Sequence, residues 1–322
     1  MNYRPLGKQG VRLSEIGLGS WLTYGDSTAE ETALACVRRA WEKGVNFFDT
    51  ADVYAHGAAE TLLGKALRGF RRADYVLATK CYFPMSGLPN DQGLSRKHIH
   101  ESIDASLRRL GVDYVDLYQC HRYDEDTPLE ETVRAMNDLI HRGKTLYWGV
   151  SQWTAVQIAD ACALAQRLNL IGPASDQPYY NLARQNIETD GVMEIAAREG
   201  LGLVAYSPLA QGILTGKYKP GAPPPAGSRA TTDEGAEFMS RLLENRGLLE
   251  RVQRLQPIAD GLGCTMAQLA LAWALRRPEI TSVIIGATRP EQVDDNVRAA
   301  EIRLDEGTLG RIEEAMRERP ND

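Results

Sequence analysis

The feature that most limits how this chain can fold is a regular alternation of strand-like and helix-like segments. Eight short strand-like runs, most of them rich in Val, Ile, Leu or Tyr, alternate with segments that carry helix start and stop signals. The eight runs are EIGLGS (15–20), VNFFDT (45–50), YVLATK (75–80), VDLYQCH (115–121), LYWGVS (146–151), ASDQ (174–177), LGLVAYSP (201–208) and TSVIIG (281–286). Such alternation predicts a parallel sheet covered by helices.

Two closures of this sheet are possible, a doubly wound open sheet and a (β/α)8 TIM barrel. The count of eight strands, the single continuous rhythm and the length of 322 residues favour the barrel. No change in composition marks a second domain, so residues 1–322 are expected to form one barrel domain. A short N-terminal β-hairpin within 3–14 and extra C-terminal helices at 289–299 and 305–318 complete the prediction.

The helices between the strands are bounded by capping signals. They are predicted at 28–43, 58–69, 95–111, 128–142, 155–168 and 187–199, followed by a helical region over 235–277. A Pro- and Gly-rich segment, residues 217–238, does not fit the alternation of strands and helices. Because it follows the seventh strand, we expect a long loop at the face where barrels bind ligands.

Composition and charge exclude several classes of protein. The net charge of −6 argues against a nucleic-acid binder, which needs a basic face. No run of about 20 uncharged apolar residues occurs, so we expect no membrane insertion. The five cysteines are scattered and odd in number, which disfavours a disulfide framework or a zinc site and predicts a reducing, cytoplasmic location.

Charged and polar side chains follow three successive strands where each strand ends. Asp49, Lys80 and His121 would therefore meet at one mouth of the barrel. A buried Asp49 and Lys80 would pair, and a nearby ammonium lowers the pKa of a phenol. Tyr54 could then act as an acid near neutral pH, while a neutral His121 orients a carbonyl oxygen. This set suits carbonyl reduction, with hydride from a cofactor.

Asp49, Tyr54, Lys80 and His121, in this order and at these strand ends, resemble the catalytic tetrad of the aldo-keto reductases. Longer motifs agree, including FFDTADVYAHGAAETLLGKAL (47–67), AYSPLAQGILTGKY (205–218) and VIIGATRPEQVDDN (283–296). The CHRYD segment and the long 217–238 loop look most like the branch that includes potassium-channel β subunits and their bacterial enzyme relatives. The resemblance runs from about residue 3 to 316.

The resemblance implies that NADPH lies extended across the barrel mouth. It implies cofactor contacts from Ser20, Trp21, Asp49, Ser151, Gln152, Gln177, Tyr206, Ser207, Pro208, Leu209, Ala210, Gln211, Lys217, Arg229, Gly286, Thr288, Gln292, Asp295 and Asn296. The resemblance implies that Tyr206 stacks on the nicotinamide and that Ser151 and Gln177 bind the carboxamide of that ring. Arg229 meets the 2′-phosphate, for which a guanidinium is suited, so NADP is favoured over NAD.

Two positions depart from the pattern of the family. Residue 152 is Gln where many members carry Asn, and TRPEQ (288–292) lacks the lysine-serine pair that some branches use for the 2′-phosphate. The predicted NADP preference therefore depends on Arg229.

An aromatic substrate pocket is predicted from Trp21, Tyr54, Tyr82, Phe83, His121 and Trp153, which fits many carbonyl compounds. The other histidines, at 56, 98, 100 and 141, are expected at the surface, and Asp52 is expected to be a loop residue. The leading hypothesis is an NADPH-dependent carbonyl reductase. A regulatory subunit that senses redox state through NADPH is the main alternative. A metal-dependent barrel lyase or isomerase lacks ligands at the mouth. A homo-oligomer remains possible, because the branch that this chain resembles often forms ring-like assemblies.

Overall fold

The computed structural model describes residues 1–21, 30–231 and 233–318. It opens with an antiparallel hairpin of β1 (Tyr3–Pro5) and β2 (Arg12–Ser14), in which Tyr3 lies opposite Ser14. The predicted N-cap Thr28 lies outside the described residues.

Eight parallel strands close into a barrel, which confirms the predicted (β/α)8 fold. They are β3 (Ile16–Gly19), β4 (Phe47–Asp49), β5 (Val76–Cys81), β6 (Val115–Cys120), β7 (Thr145–Ser151), β8 (Ser175–Gln177), β9 (Gly202–Tyr206) and β10 (Ile280–Ile285). The last strand pairs with the first, with Ile284 opposite Gly17, so the sheet has no free edge.

Helices surround the barrel. They are α1 (Glu30–Glu42), α2 (Ala58–Leu67), α3 (Arg96–Leu110), α4 (Leu129–His141), α5 (Ala155–Arg167), α6 (Val192–Glu199), α7 (Asp233–Glu244), α8 (Arg246–Gln253), α9 (Gln256–Gly261), α10 (Met266–Leu275), α11 (Pro290–Asn296) and α12 (Glu306–Met316). Capping explains many of the bounds. Ser95 accepts a hydrogen bond from the His98 amide at the start of α3, and Gly111 ends α3 with φ of +69°.

The core has two layers because successive strand residues face opposite sides. Phe47 and Leu117 fill the barrel interior together with Leu6 and Leu13 of the hairpin segment. Phe48 belongs to the larger cluster between the sheet and its helices. The hairpin thus closes the N-terminal end of the barrel, and the polar strand ends lie at the other end.

Two predicted segment bounds and the predicted exposure of one histidine need correction. The 217–238 loop is shorter than predicted, because α7 begins at Asp233 after a 3-10 turn over Arg229–Thr231. Helix α6 begins at Val192 instead of residue 187, after a left-handed Gly191. His98 is buried instead of solvated, because it lies with Ser102 on the buried face of α3.

Among the described helices, none by itself is long and apolar enough to cross a membrane. One bent pair, Arg246–Gly261 with Met266–Leu275, passes that test when its two parts are taken together.

Candidate active site

The backbone beyond β4 places Asp49 and Tyr54 on the same side of the mouth. The Thr50 amide donates to the Ala78 carbonyl at 3.0 Å, and the Asp52 amide to the Lys80 carbonyl at 3.2 Å. The chain therefore follows β5 past the last strand residue before it turns. Tyr54 begins a 3-10 turn in which Ala55 and His56 both have φ of +47°. Two consecutive non-glycine residues in this region are unfavourable unless their surroundings hold them there.

Lys80 lies at the centre of the site. Its ammonium donates to Asp49 Oδ2 at 2.7 Å and to the Thr50 carbonyl at 2.7 Å, and it lies 3.3 Å from the Tyr54 hydroxyl. Lys80 has no exposed surface and Asp49 is buried. Burial lowers the pKa of Lys80, and the Asp49 carboxylate opposes that shift.

Two amides hold the other oxygen of Asp49. Gln177 Nε2 donates to Asp49 Oδ1 at 2.9 Å, and Gln119 Nε2 lies 3.4 Å from the same oxygen. Ser151 Oγ donates to the Gln177 carbonyl at 2.9 Å. The carboxylate is thus fixed by an ammonium on one oxygen and by amides on the other. Ser151 and Gln177, predicted as cofactor contacts, lie beside the tetrad.

His121 faces Tyr54 across the mouth. The two ring centroids are 5.7 Å apart, and the Phe83 ring lies 4.9 Å from His121. Burial and the nearby cations of Lys80 and Arg122 hold the pKa of His121 well below its usual range. The lowered pKa favours the neutral form of the imidazole. Its buried Nδ1 has no hydrogen-bond partner among the described residues.

The pKa of Tyr54 shifts in the direction opposite to our expectation. Burial raises it well above its usual value, and the Asp49 carboxylate raises it further, whereas Arg122 lowers it. Tyr54 therefore remains a protonated phenol with a neutral imidazole and an ammonium beside it. The Tyr54 hydroxyl therefore carries a proton that it can donate.

The residues around Tyr206 form a second part of the mouth. Tyr206 lies at the end of β9, and its ring pairs with Tyr179 at a centroid distance of 5.1 Å. With the Gln152 amide oriented to satisfy its neighbours, its oxygen accepts from the Tyr206 hydroxyl at 2.6 Å and from Arg122 at 2.8 Å. Gln152 has φ of +56°, so its backbone holds the amide in a turn.

The turn after β9 combines donors with two cations. Ser207, Ala210 and Gln211 have positive φ, and Ser207 Oγ accepts from Gln211 Nε2 at 2.8 Å. Arg229 donates to the Gln211 amide oxygen. Lys217 is exposed after the turn. A tight turn flanked by a guanidinium and an ammonium fits a ligand with phosphate groups.

Helix α10 packs against both this turn and α11, which carries the last predicted cofactor contacts. The Thr288 amide donates to Gln292 Oε1 at 2.7 Å. Gln268 Nε2 donates to Asp295 Oδ1 at 2.8 Å, so the Asp295 carboxylate is already held by α10. Asn296 is buried, and Gly286 is exposed at the end of β10.

The aromatic residues predicted for the substrate pocket differ in their exposure. Trp21, Tyr82 and Phe83 are partly exposed beside the tetrad, with Trp21 6.3 Å from Tyr54 and Tyr82 5.2 Å from Phe83 between centroids. Trp153 differs, because it is 2% exposed and packs edge-on against Tyr123 at 4.8 Å. Trp153 is therefore buried, and its place in the substrate pocket stays a prediction. Ser20 is also buried, and its hydroxyl donates to Thr50 Oγ1 at 2.8 Å.

Our sequence reasoning missed Arg122 and undervalued Asp52. Arg122 follows His121 directly, and its position next to a strand end was the available signal. Asp52 is fully buried and accepts from the Ser102 hydroxyl at 2.9 Å and the Val53 amide at 2.6 Å. Burial raises the pKa of Asp52 to about 7. Its hydrogen bonds are to the loop and α3, so it stabilises the Tyr54 turn.

The described residues contain no group of three or more His, Cys, Asp or Glu side chains that could hold a metal ion. Residues 15–317 match the model of the aldo/keto reductase family. A protein of Arabidopsis thaliana, described as "Probable voltage-gated potassium channel subunit beta", is 45% identical over 99% of this chain and 98% of its own length. A protein of Oryza sativa subsp. japonica with the same description is 44% identical over the same shares of both chains.

Proposed function

Because this chain belongs to the aldo/keto reductase family, we propose that it reduces aldehydes or ketones to alcohols with NADPH. The observation that carries the proposal is the contact of buried Lys80 with both Asp49 and the Tyr54 hydroxyl, with neutral His121 across the mouth. The residues fit the cofactor, since the strand ends offer Ser151 and Gln177 and the turn after β9 carries two cations.

NADPH when bound supplies a hydride to the carbonyl carbon. Tyr54 gives its proton to the carbonyl oxygen, and Lys80 at 3.3 Å stabilises the phenolate that remains. Asp49 keeps the ammonium in place through its 2.7 Å contact. Neutral His121 binds the carbonyl oxygen without competing as an acid, and Trp21 and Phe83 exclude water from the reacting atoms.

Two cations, one turn and two amides are each assigned to a part of the cofactor. We assign Lys217 and the Ser207–Gln211 turn to the pyrophosphate, and Arg229 to the 2′-phosphate. Arg229 would release the Gln211 amide oxygen, which it now contacts, when it meets the phosphate. Gln292 and Asn296 on α11 take the adenosine end. The assignment predicts a preference for NADPH over NADH.

Steady-state oxidation of NADPH with 4-nitrobenzaldehyde tests the proposal, with the Tyr54→Phe variant as the matched control. Loss of one hydroxyl leaves the ring and its packing in place. We expect the wild-type rate to exceed that of the variant by about 10² or more, the usual contribution of a general acid. Equal rates, with NADPH bound by both proteins, would refute a reductase in which Tyr54 is the acid.

A second candidate follows from the two relatives that are described as channel subunits. We propose as the alternative that this chain binds NADPH and acts on a partner protein, with slow turnover. This alternative would be favoured if the protein binds NADPH tightly and reduces carbonyl compounds more slowly than it exchanges bound cofactor with solution. Rapid turnover with many carbonyl compounds would favour the enzyme.

A further inference from the structure

Arg122 is a cation surrounded by neutral groups at the mouth of the barrel. Its Nη1 donates to the His121 carbonyl at 2.5 Å, and both terminal nitrogens reach the Gln152 amide oxygen at 2.8 and 3.1 Å. Its guanidinium carbon lies 5.3 Å from the centroid of the Phe83 ring. Within residues 1–21, 30–231 and 233–318, no carboxylate lies within ion-pair distance of Arg122.

Arg122 is therefore a positive charge at the mouth that has no ion-pair partner among the described residues. Asp49 and Lys80 neutralise each other at 2.7 Å, so Arg122 supplies a charge that no described neighbour cancels. Neutral oxygens and an aromatic face satisfy N–H groups, but they do not compensate a partly buried charge. A guanidinium also presents a planar fork that matches a carboxylate in two-point geometry.

We propose that Arg122 binds a carboxylate carried by the carbonyl substrate, so that this chain prefers acidic aldehydes or ketones to neutral ones. The proposal rests on the proposed reductase function and names its substrate class. Arg122 adjoins His121 in the chain, lies over the Phe83 ring, and shares the Gln152 amide oxygen with the Tyr206 hydroxyl. The carbonyl group and the carboxylate are thus two ends of one small molecule, with the carbonyl at Tyr54 and His121.

A cofactor contact is the competing role for Arg122, because Gln152 and Tyr206 are both assigned to the nicotinamide side. The two roles differ in what the variant loses. Loss of a substrate contact slows only the reduction of substrates that carry a charge. Loss of a cofactor contact weakens the binding of NADPH and slows the reduction of every substrate alike.

The test compares the 2-, 3- and 4-carboxybenzaldehydes with the three matching methylbenzaldehydes, using wild-type protein, Arg122→Met and Arg122→Lys. The three isomers place the charge at different distances from the carbonyl. The measured quantity is the ratio of kcat/KM for each acidic aldehyde to that for its neutral partner, which cancels common effects on folding. Fluorescence titration gives the Kd of NADPH for each protein.

We expect the ratio for at least one isomer to fall about tenfold or more in Arg122→Met, as loss of a charged hydrogen-bond pair implies. Arg122→Lys keeps the charge and should retain part of the ratio. An unchanged ratio for all three isomers overturns the proposal, and so does a weaker NADPH affinity with equal losses for both series. Failure of wild-type protein to reduce any of the six aldehydes would instead refute the proposed reductase function.

Discussion

Removing one member of the buried Asp49–Lys80 pair should destabilise the fold more than removing both. Lys80→Met leaves the Asp49 carboxylate without a cation, with only the amides of Gln177 and Gln119 at 2.9 and 3.4 Å. Asp49→Asn leaves the Lys80 ammonium fully buried with the Thr50 carbonyl and the Tyr54 hydroxyl. An uncompensated buried charge costs about 3–5 kcal/mol.

The double variant removes both charges and loses mainly hydrogen bonds, each worth about 1 kcal/mol. We therefore expect each single variant to lose about 3 kcal/mol or more of unfolding free energy, and the double variant to lose less than either single variant. Urea denaturation of the four proteins gives the coupling energy, for which we expect about 3 kcal/mol or more. Additive losses would refute a tightly coupled pair. NADPH oxidation should be lost in the two variants that lack Lys80, because Tyr54 then has no cation to stabilise its phenolate.

Three further outcomes follow from burial and charge. The Asp52 carboxyl has its pKa raised to about 7, so its ionisation destabilises the folded state progressively as pH rises from about 4 through 7. The melting temperature of Asp52→Asn relative to that of wild type should therefore increase between pH 5 and about 8. A difference in melting temperature that does not change with pH would contradict this expectation. The imidazole of His121 should stay neutral at about pH 6 because its pKa is lowered, as nitrogen NMR can show with His121→Gln as the assignment control. Arg229→Met should raise the KM for NADPH by about tenfold and change the KM for NADH little. Equal changes in the two KM values would refute the assignment of Arg229 to the 2′-phosphate.

The sequence predicted the barrel well because the fold depends on periodicity. Most strands are short apolar runs, and the polar residue at the end of each strand marks the mouth. This places Asp49, Lys80 and His121 together without any knowledge of loops. The contact between Lys80 and Tyr54 follows, since the loop from β4 returns over β5 after only a few residues.

Side chains whose role depends on packing between elements were harder to predict. Trp153 follows a strand end like the catalytic groups, yet Tyr123 from the neighbouring loop covers it. The pKa of Tyr54 was predicted with the wrong direction, because the sequence shows that Lys80 is near but not that burial and Asp49 outweigh it. Arg122 was overlooked, because its neighbours Gln152 and Phe83 come from two other loops.

Transfer of an isotope label tests the central claim most directly. NADPH carrying deuterium at both positions of nicotinamide C4 is incubated with 4-nitrobenzaldehyde and either wild-type protein or Tyr54→Phe, and the alcohol is analysed by mass spectrometry. We expect the wild-type product to carry one deuterium on the former carbonyl carbon, and the variant to form at most about one hundredth as much of it. Wild-type protein that binds NADPH but forms no more deuterated alcohol than Tyr54→Phe would contradict the account.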